Sequence, residues 1–396
     1  MPDLVSTLRA SAPLSNRVVY TVWLCNPQGY RVQLISNYVR LHYTLGLRGG
    51  GGFQLELPPS FPRTFVKHLG FVEIRRSVGG GVSALQDVYV IQSQPEAQAR
   101  RGARFLTLEG PSITDFLLGK NSRVVASILG GTGASYTDRA DDAAKSYVWD
   151  AMGTNAGSSG TAAGRDLTGI YGFRMEAKRG LGPSVTEDGY TKPLDQVLAE
   201  IARKSEQDTT SPKRLFYWIR PYASNPLRFE FVTAVTGLTR SRGRYLGFTS
   251  GNPVILSPDW GTLGEVDAEY DRREEWTSLY VTYNTKASAT RVTDTVRRNA
   301  APGNFREIYY DATNSALVAA AQLEAQARLG EGKPRLISRA KVIPSYAYRY
   351  GAEYGMGDVV GTVVFGRRIE MEISGVEADV VADETLSLKL EQLGTV

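Results

Sequence analysis

The stretch that decides the fold is Tyr346-Ala347-Tyr348-Arg349-Tyr350-Gly351, followed by Tyr354-Gly355-Met356-Gly357-Asp358-Val359-Val360. Its Gly-x-Gly-Asp turn leads into a Val-rich segment that predicts a strand over residues 361–365. A basic hairpin follows, with a strand over 368–373 and an alternating Leu-Ser-Leu-Lys-Leu strand over 386–390. Short strands joined by tight turns predict a small antiparallel β-barrel at this end of the chain.

The first part of the chain shows the same two-residue period between apolar and polar positions. Six or so short strands at this spacing are typical of a barrel or sandwich. The glycine run Gly49–Gly52 precedes one of these strands, whereas a phosphate-binding loop precedes a helix. We therefore interpret the run as a turn or bulge. The clearest strand segments cover residues 17–24, 30–35, 53–57, 71–75 and 88–92.

Helical periodicity marks the middle of the chain. Asp138 is a suitable N-cap for a helix over residues 139–152, and Gly153 is suited to end it. A second helix is predicted to begin at Pro193, before a hairpin over residues 216–220 and 228–232. Its apolar stripe, spaced to pack against that hairpin, comprises Leu194, Val197, Leu198 and Ile201.

A third helix, rich in Ala, is predicted over residues 315–329 and ends at Gly330. The chain therefore divides into two β-rich ends and a mixed middle. The fold class that we predict is a mixed β-rich α+β protein, with two small antiparallel β-barrel domains and an inserted helix-plus-sheet domain. The boundaries are 1–120 for the first barrel, 121–265 for the inserted peripheral domain with its Gly-rich loop, and 266–396 for the second barrel with a packed helix.

The residue inventory argues against most catalytic and metal chemistry. Cys25 is the only cysteine, so it cannot form an internal disulfide, and its apolar surroundings predict a buried, inert thiol. His42 and His68 are too few for a zinc cluster. The sequence predicts no catalytic residue, no metal site and no cofactor.

Two weaker candidates for chemistry stay open in the sequence. The segment Gly130–Gly133 precedes a helix, as an anion site would, but lacks a βαβ context. Two carboxylates at the right separation are also sufficient for a glycosidase. Adjacent acids more often form a solvated face or favour a helix N-terminus. The pairs concerned are Asp141-Asp142, Glu187-Asp188 and Glu274-Glu275.

The sequence has no run of about 18 apolar residues, so no membrane-spanning segment is predicted. The first 15 residues are too polar for a signal-peptide core, which predicts folding in a cytoplasm. The net charge is +5, and arginines occur in bunches with acidic neighbours. Such bunches attract phosphate, but arginine is also favoured at subunit contacts, which is the interpretation that we prefer.

The chain resembles the tail-hub (baseplate-hub) proteins of long-tailed bacteriophages, especially siphophage tail proteins. The C-terminal turn and strands at 346–365 resemble the opening of that family's final barrel. Segments at 24–29, 45–58, 71–76 and 105–110 resemble, in order and spacing, its first barrel. The resemblance implies a structural, non-enzymatic virion protein at the tail tip.

The resemblance also implies an assembly. A homotrimer with two barrels per chain presents six similar units, which matches a six-fold tail tube above and a spike or fibre below. The implied partners are further copies of the chain, distal tail or tail-tube proteins, a tape-measure protein, and spike or fibre proteins. A hub of this kind lines the DNA passage, so transient, non-specific contact with DNA is expected.

Seven residues are the interface candidates. Gly355, Gly357 and Asp358 are expected to fix the turn that aims the final strands. The basic candidates for ring and tube contacts are Arg367, Arg368, Arg272 and Arg273.

Three alternatives stay open in the sequence. The chain could be another tail-tip component, such as a distal tail protein in a six-fold ring. It could be a module that binds or cleaves cell-wall glycan, which the acidic pairs and a set of aromatic residues favour if these are exposed. A nucleic-acid-binding role requires salt-dependent affinity from the arginine bunches. The aromatic residues concerned are Tyr346, Tyr348, Tyr350 and Tyr354.

Overall fold

The fold was analysed in a computed structural model of the chain. The residues that it describes are 18–47, 49–94, 96–98, 104–120, 122–123, 135–154, 165–189, 192–207, 213–237, 254–272, 275–283, 288–293, 295, 306–312, 318–331, 335–343, 348–364 and 366–392. Strands predominate and helices are few, which confirms the predicted mixed β-rich fold class.

The strands are β1 (Val18–Cys25), β2 (Arg31–Ile35), β3 (Arg40–Gly46), β4 (Gly52–Leu57), β5 (Phe71–Val78), β6 (Ala84–Val90), β7 (Glu96–Gln98), β8 (Arg104–Pro111), β9 (Ser135–Arg139), β10 (Arg174–Met175), β11 (Ser184–Asp188), β12 (Lys213–Ser224), β13 (Leu227–Gly237), β14 (Ile255–Leu256), β15 (Leu263–Asp271), β16 (Ser278–Tyr283), β17 (Ser288–Thr293), β18 (Glu307–Ala312), β19 (Arg335–Val342), β20 (Val359–Val364), β21 (Arg367–Val380) and β22 (Glu384–Gln392). The helices are α1 (Ile113–Leu118), α2 (Ala140–Met152), α3 (Thr168–Tyr171), α4 (Leu194–Gln207) and α5 (Val318–Glu331), with a 3₁₀ turn at Arg63–Phe65.

The described residues form two compact units. The larger contains residues 1–266 and 340–390, and the smaller contains 267–339 and 391–396. The boundary therefore falls within strands β15 and β19.

The larger unit begins with an antiparallel sheet in the order β2-β1-β5-β6. Val22 and Leu24 of β1 and Ile74 of β5 are fully buried on one face of this sheet. Alternate positions such as Val19 lie on the other face, as the period of two requires. The strands predicted in this segment are confirmed.

A second sheet joins the two ends of the chain. Its order includes β22-β21-β3-β4-β8-β7, and β20 pairs with β21 and β14. The junction is the antiparallel pair β3–β21, in which Leu41 lies opposite Val380 and Leu45 opposite Val376. The last strands of the chain are therefore hydrogen-bonded directly to the first.

Two sequence expectations need correction at this junction. The strand predicted over 368–373 is the first half of β21, which runs for 14 residues to Val380. Strand β3 was not among the predicted strands, and only its last two residues, Leu45 and Gly46, fell in the segment interpreted as a glycine-rich turn. The two missing segments are the ones that pair with each other.

The middle of the chain folds as predicted into helices on a hairpin. Strands β12 and β13 pair over 11 positions, beginning with Lys213 opposite Gly237. Helix α4 packs on β12 through its predicted stripe, and α2 packs on α4. This apolar core extends to Cys25 and Phe71 of the first sheet. Cys25 is buried as predicted, and burial raises the pKa of its thiol to about 12.

The N-terminus of α2 differs in detail from the prediction. The helix begins at Ala140 after Arg139, and Asp138 does not cap it. Instead, the Asp138 carboxylate accepts a hydrogen bond from the Arg139 N–H at 2.8 Å. Gly153 ends the helix, as predicted.

The smaller unit is a three-stranded sheet, β17-β16-β18, with α5 packed against it. Leu279 and Val281 of β16 are buried against Ala321, Ala325 and Leu329 of α5. The third predicted helix is confirmed over residues 318–329, but it continues through Gly330, its predicted end, to Glu331. Its first predicted residues, 315–317, lie outside the described part. Across the residues with assigned structure, no helix has the length and apolar character needed to cross a membrane.

Candidate assembly sites

The predicted turn before the final strands is present. The Gly355 N–H donates to the Asp358 carboxylate at 2.7 Å, and the Asp358 N–H donates to the Gly355 carbonyl at 3.2 Å. Gly357 has φ +81°, a left-handed conformation that favours glycine. The Asp358 side chain is buried, so it holds the turn from inside. The N–H of Gly357 and the carbonyl of Asp358 pair with Ile373, which fixes the turn against β21.

The four basic candidates lie in two places. Arg367 and Arg368 open β21 and pair through the backbone with Val364 and Val363, respectively. Arg272 belongs to the smaller unit, where its guanidinium donates to Glu275 at 2.8 Å. Arg273 lies outside the described residues. The structure thus brings Arg367 and Arg368 together, and an interface role for these arginines stays a prediction.

A buried polar network, which was not predicted from the sequence, holds the two ends of the chain together. Arg76 of β5 donates two hydrogen bonds to Glu384 of β22, from Nε at 2.7 Å and from Nη2 at 2.6 Å. Their side chains are only 5% and 9% exposed. The Tyr20 hydroxyl donates to the same carboxylate and lies 3.1 Å from the Tyr43 hydroxyl. We call these four residues the terminal junction.

The charges of the terminal junction are compensated within it. A bidentate guanidinium–carboxylate pair satisfies both partners, which offsets much of the cost of removing them from water. Burial, Tyr43 and Glu384 together raise the pKa of Tyr20 far above its usual range, so its hydroxyl stays protonated and can donate. The junction therefore acts as a structural clamp.

Tyr350 and Tyr354 pack beside the terminal junction. Their rings meet edge to face at 5.8 Å, and Arg76 Nη1 donates to the Tyr350 carbonyl at 2.6 Å. Both rings are buried, at 6% and 1% exposure. The suggestion that they are exposed aromatic residues for glycan binding is therefore wrong. Tyr348 is half-buried, and Tyr346 lies outside the described residues.

The glycine run Gly49–Gly52 is a turn that leads into β4, as predicted. Its backbone N–H groups bind an anion, but that anion is the chain's own Asp115 carboxylate. The N–H groups of Gly50 and Gly51 donate to its two oxygens at 2.8 and 2.6 Å. Asp115 is in turn positioned by Ser112, the N-cap of α1. The Asp115 carboxylate therefore occupies the position that an external anion would take at this turn.

Of the adjacent acids, Asp141, Asp142, Glu187 and Glu275 are buried, and Asp141 and Asp142 lie in the first turn of α2; Glu274 is outside the described residues. Asp141 accepts the Leu181 N–H at 2.6 Å and lies 3.4 Å from the buried Lys145 ammonium. Glu187 accepts hydrogen bonds from two lysines, each at 2.7 Å. Asp142 accepts the N–H groups of Arg179 and Gly180. These carboxylates bind backbone N–H groups and lysines of the same chain, so their contacts are those that stabilise a fold. The other candidate for chemistry, the segment Gly130–Gly133, lies outside the described residues.

Asp87 of β6 differs from Asp141 and Glu187, because none of the described contacts that set its pKa is with a cation. Burial, followed by the nearby Asp115, raises the pKa of Asp87 to about 7, although the Val88 N–H donates to it at 2.7 Å. At neutral pH this carboxyl group is therefore close to half-protonated.

One further ion pair ties the inserted hairpin to the final strands. Arg214 of β12 donates to Glu372 of β21, whose side chain is 6% exposed. In the described portion of the chain, no group of three or more His, Cys, Asp or Glu side chains lies where it would hold a metal ion.

The fold has counterparts among solved structures. No family model and no curated protein sequence matches the chain. A 43 kDa tail protein of prophage MuSo2 from Shewanella oneidensis is 12% identical, with a TM-score of 0.56 over 94% of this chain and 98% of that one. A tail protein from Neisseria meningitidis MC58 is 15% identical, with a TM-score of 0.54 over 94% and 96%.

The chain therefore has the fold of phage tail proteins, and the resemblance noted in the sequence is confirmed. The same fold occurs in a chain of the Francisella PdpA–VgrG complex, with 8% identity and a TM-score of 0.50. That match covers 100% of this chain and 62% of the larger one.

Proposed function

We propose that the chain is a structural component of a phage tail tip or baseplate, acting as a homotrimeric hub. The hub joins the six-fold tail tube to the central spike or fibre and lines the DNA passage. The observation that carries this proposal is the match to the MuSo2 tail protein over 94% of this chain and 98% of that one. A match of such extent supports a shared architecture rather than a shared module.

The three-part domain division remains part of the proposal. The β2-β1-β5-β6 sheet lies within residues 1–120, the α2, α4 and β12–β13 unit within 121–265, and strands β16 to β22 within 266–396. We propose that the first and last segments are the two small barrels. The pairing of β3 with β21 and the terminal junction would then hold them at a fixed angle, as a ring of six similar units requires.

The proposed partners are further copies of the chain, the distal tail or tail-tube proteins above, the tape-measure protein, and a spike or fibre below. Transient, non-specific contact with DNA is part of the same proposal. Arg367 and Arg368 at the β20–β21 hairpin, and Arg272 with Arg273, are the proposed polar contacts within the ring. The proposed location is the tail tip of the virion, after synthesis in the host cytoplasm. No enzymatic activity and no cofactor form part of this role.

The proposal is tested by measuring the mass of the purified protein in solution and by reconstructing tails that contain it. We expect three copies in a closed ring at the tail tip. Six copies in a ring would favour a distal tail protein instead. A monomer that never joins a tail would refute the hub.

A further inference from the structure

A short loop between β14 and β15 holds a tryptophan in solvent. The Ser257 N–H donates to the Thr262 hydroxyl at 2.7 Å, and that hydroxyl donates back to the Ser257 carbonyl at 3.1 Å. The Asp259 N–H donates to the Ser257 hydroxyl at 3.1 Å, and the Gly261 N–H donates to the Pro258 carbonyl at 3.0 Å. Ser257 and Thr262 are buried. The loop is therefore fixed at its base by side-chain and backbone hydrogen bonds.

The tip of this loop, Pro258-Asp259-Trp260, is exposed. Trp260 has 59% of its surface in solvent, and Asp259 beside it is also exposed. Tryptophan is over-represented among residues that dominate binding energy at protein interfaces. A rigid loop loses little conformational entropy on binding, which favours affinity. The tip has the properties of an anchor that inserts into a partner.

The same chain carries a cleft with complementary properties, with a volume of about 650 Å³. Its lining includes three apolar residues, Pro111, Phe116 and Leu117, and three cations, Lys120, Arg123 and Arg165. Trp260 does not line the cleft of its own chain.

Among the described residues that line this cleft, cations outnumber carboxylates three to one. Asp115 also lines the cleft, but its carboxylate is held by the Gly50 and Gly51 N–H groups. Burial, followed by the neighbouring Arg165, lowers the pKa of Arg123. An added carboxylate and an aromatic face would each favour the charged form of the Arg123 guanidinium.

We propose that the Trp260 loop of one copy inserts into this cleft on the next copy, so that the indole packs on Pro111 and Phe116 while Asp259 pairs with the cations. Each copy has one loop and one cleft, which is the arrangement of a head-to-tail interface that closes into a ring. The inference rests on the proposed trimeric function and names the contact that forms the ring.

Cross-linking tests this contact directly. Asp259→Cys is combined with Lys120→Cys in the full chain, and a short bifunctional maleimide is added at pH 7. Cys25 is buried with a thiol pKa raised to about 12, so it stays unreactive. We expect covalent dimers and trimers on a denaturing gel. The matched control replaces Lys120→Cys with Val82→Cys, at a position 93% exposed but outside the cleft, and should give none.

Two variants measure the energetics of the same contact. Trp260→Ala is expected to weaken self-association about 30-fold, the loss that corresponds to a hot-spot residue. Because Trp260 is exposed, thermal unfolding of the Trp260→Ala chain at concentrations where it is dissociated should match that of the dissociated parent chain. Asp259→Lys and Arg165→Asp should each weaken association, and the double variant should regain most of the loss, because the charge pair is restored in reverse.

The outcomes separate the contact from the ring itself. A trimer by light scattering that gives no 259–120 cross-link, or that tolerates Trp260→Ala, would overturn this contact and leave the hub intact. A chain that stays monomeric at all concentrations and is absent from tails would refute the hub and the contact together.

Discussion

The terminal junction and the core of the inserted region are both buried, but different chemistry holds them. At the junction, Arg76 and Glu384 form a charged pair between residues 308 positions apart, with tyrosine hydroxyls around them. The inserted core is apolar, built by stripes such as the one on α4 against β12. A buried ion pair stabilises the junction only while both charged partners are present, because either one alone is a buried, uncompensated charge. An apolar core instead tolerates the loss of single side chains one at a time.

The largest expected effect is from breaking the clamp on one side. Glu384→Ala leaves the Arg76 guanidinium buried without its partner, and we expect the free energy of unfolding to fall by about 4 kcal/mol. Chemical denaturation of the single variant and of Arg76→Ala measures this.

The double variant Arg76→Met/Glu384→Met is the control for that experiment. Removing both charges leaves neither unpaired, so it should cost less than either single change. If the double variant lost the sum of the two single effects, the junction would not behave as a charge-compensated clamp.

The second prediction addresses the apolar side of the comparison. Leu198 is fully buried on α4, so Leu198→Ala should lower the free energy of unfolding by about 3 kcal/mol through lost burial and a cavity. No second truncation should rescue it. Combining Leu198→Ala with Val148→Ala on α2 should lower the free energy of unfolding further. If the double variant were instead more stable than Leu198→Ala alone, the apolar core would respond to paired substitutions in the same way as the terminal junction.

These two regions also differ in how far the sequence predicted them. The α4 stripe and the β12–β13 hairpin repeat at the period of their own element, so a local window is sufficient to find them. Strand β3 has the same alternation at Leu41, Tyr43 and Leu45, but it was not predicted, and its end at Leu45 was assigned to the glycine-rich turn that follows. Its partner, the second half of β21, begins with Ser374-Gly375, which resembles a strand end.

The terminal junction is harder to predict than either strand. In the sequence, Arg76 was noted only as the last residue of the segment 71–76, and Glu384 was not singled out. Nothing within ten positions of either residue indicates that they meet, because the contact depends on the β3–β21 pairing. The glycine turn was predicted as a turn, but its Asp115 ligand follows from the placement of α1, which the sequence analysis did not include. Polar contacts between residues far apart in the chain could therefore not be predicted, because no local pattern in the sequence indicates them.

Asp87 and Glu384 are both acids of the larger unit, and Glu384 is paired with the Arg76 guanidinium. Among the described contacts that set its pKa, Asp87 has no compensating cation, and its pKa in the folded chain is about 7, against about 3.9 when unfolded. Between these values the folded state holds a proton that the unfolded state has lost, so stability falls as pH rises from about 4 through about 7. Asp87→Asn should remove this slope and raise the free energy of unfolding at pH 8 by on the order of 2 kcal/mol, since the side chain is only half-buried.

Denaturation of the parent chain and of Asp87→Asn at pH 5 and pH 8 measures this difference. Asparagine keeps the acceptor for the Val88 N–H, so lost hydrogen bonding does not confound the result. Glu384→Gln serves as the opposing case, because its carboxylate is compensated and its loss should destabilise the chain at pH 8. A parent chain that is as stable at pH 8 as at pH 5 would show that Asp87 is not the uncompensated acid described above.

The smallest expected effect comes from an ion pair with the same bidentate form as the junction, but at the surface. Arg40 of β3 donates to Asp379 of β21 from Nε at 2.8 Å and from Nη2 at 3.1 Å, and the side chains are 38% and 34% exposed. Solvent screening limits such a pair to about 0.5 kcal/mol.

The hydrogen bond from Arg40 lowers the pKa of Asp379, so its contribution is present above the unfolded pKa and is lost as pH falls through the folded value. A double-mutant cycle with Arg40→Gln and Asp379→Asn should give a coupling energy near 0.5 kcal/mol at pH 7. The Arg40–Asp379 coupling energy should be smaller at pH 2 and in 1 M salt. The coupling energy of Arg76 with Glu384 should be unchanged by salt, because this pair is buried. Equal salt sensitivity of the two pairs would mean that burial does not separate them.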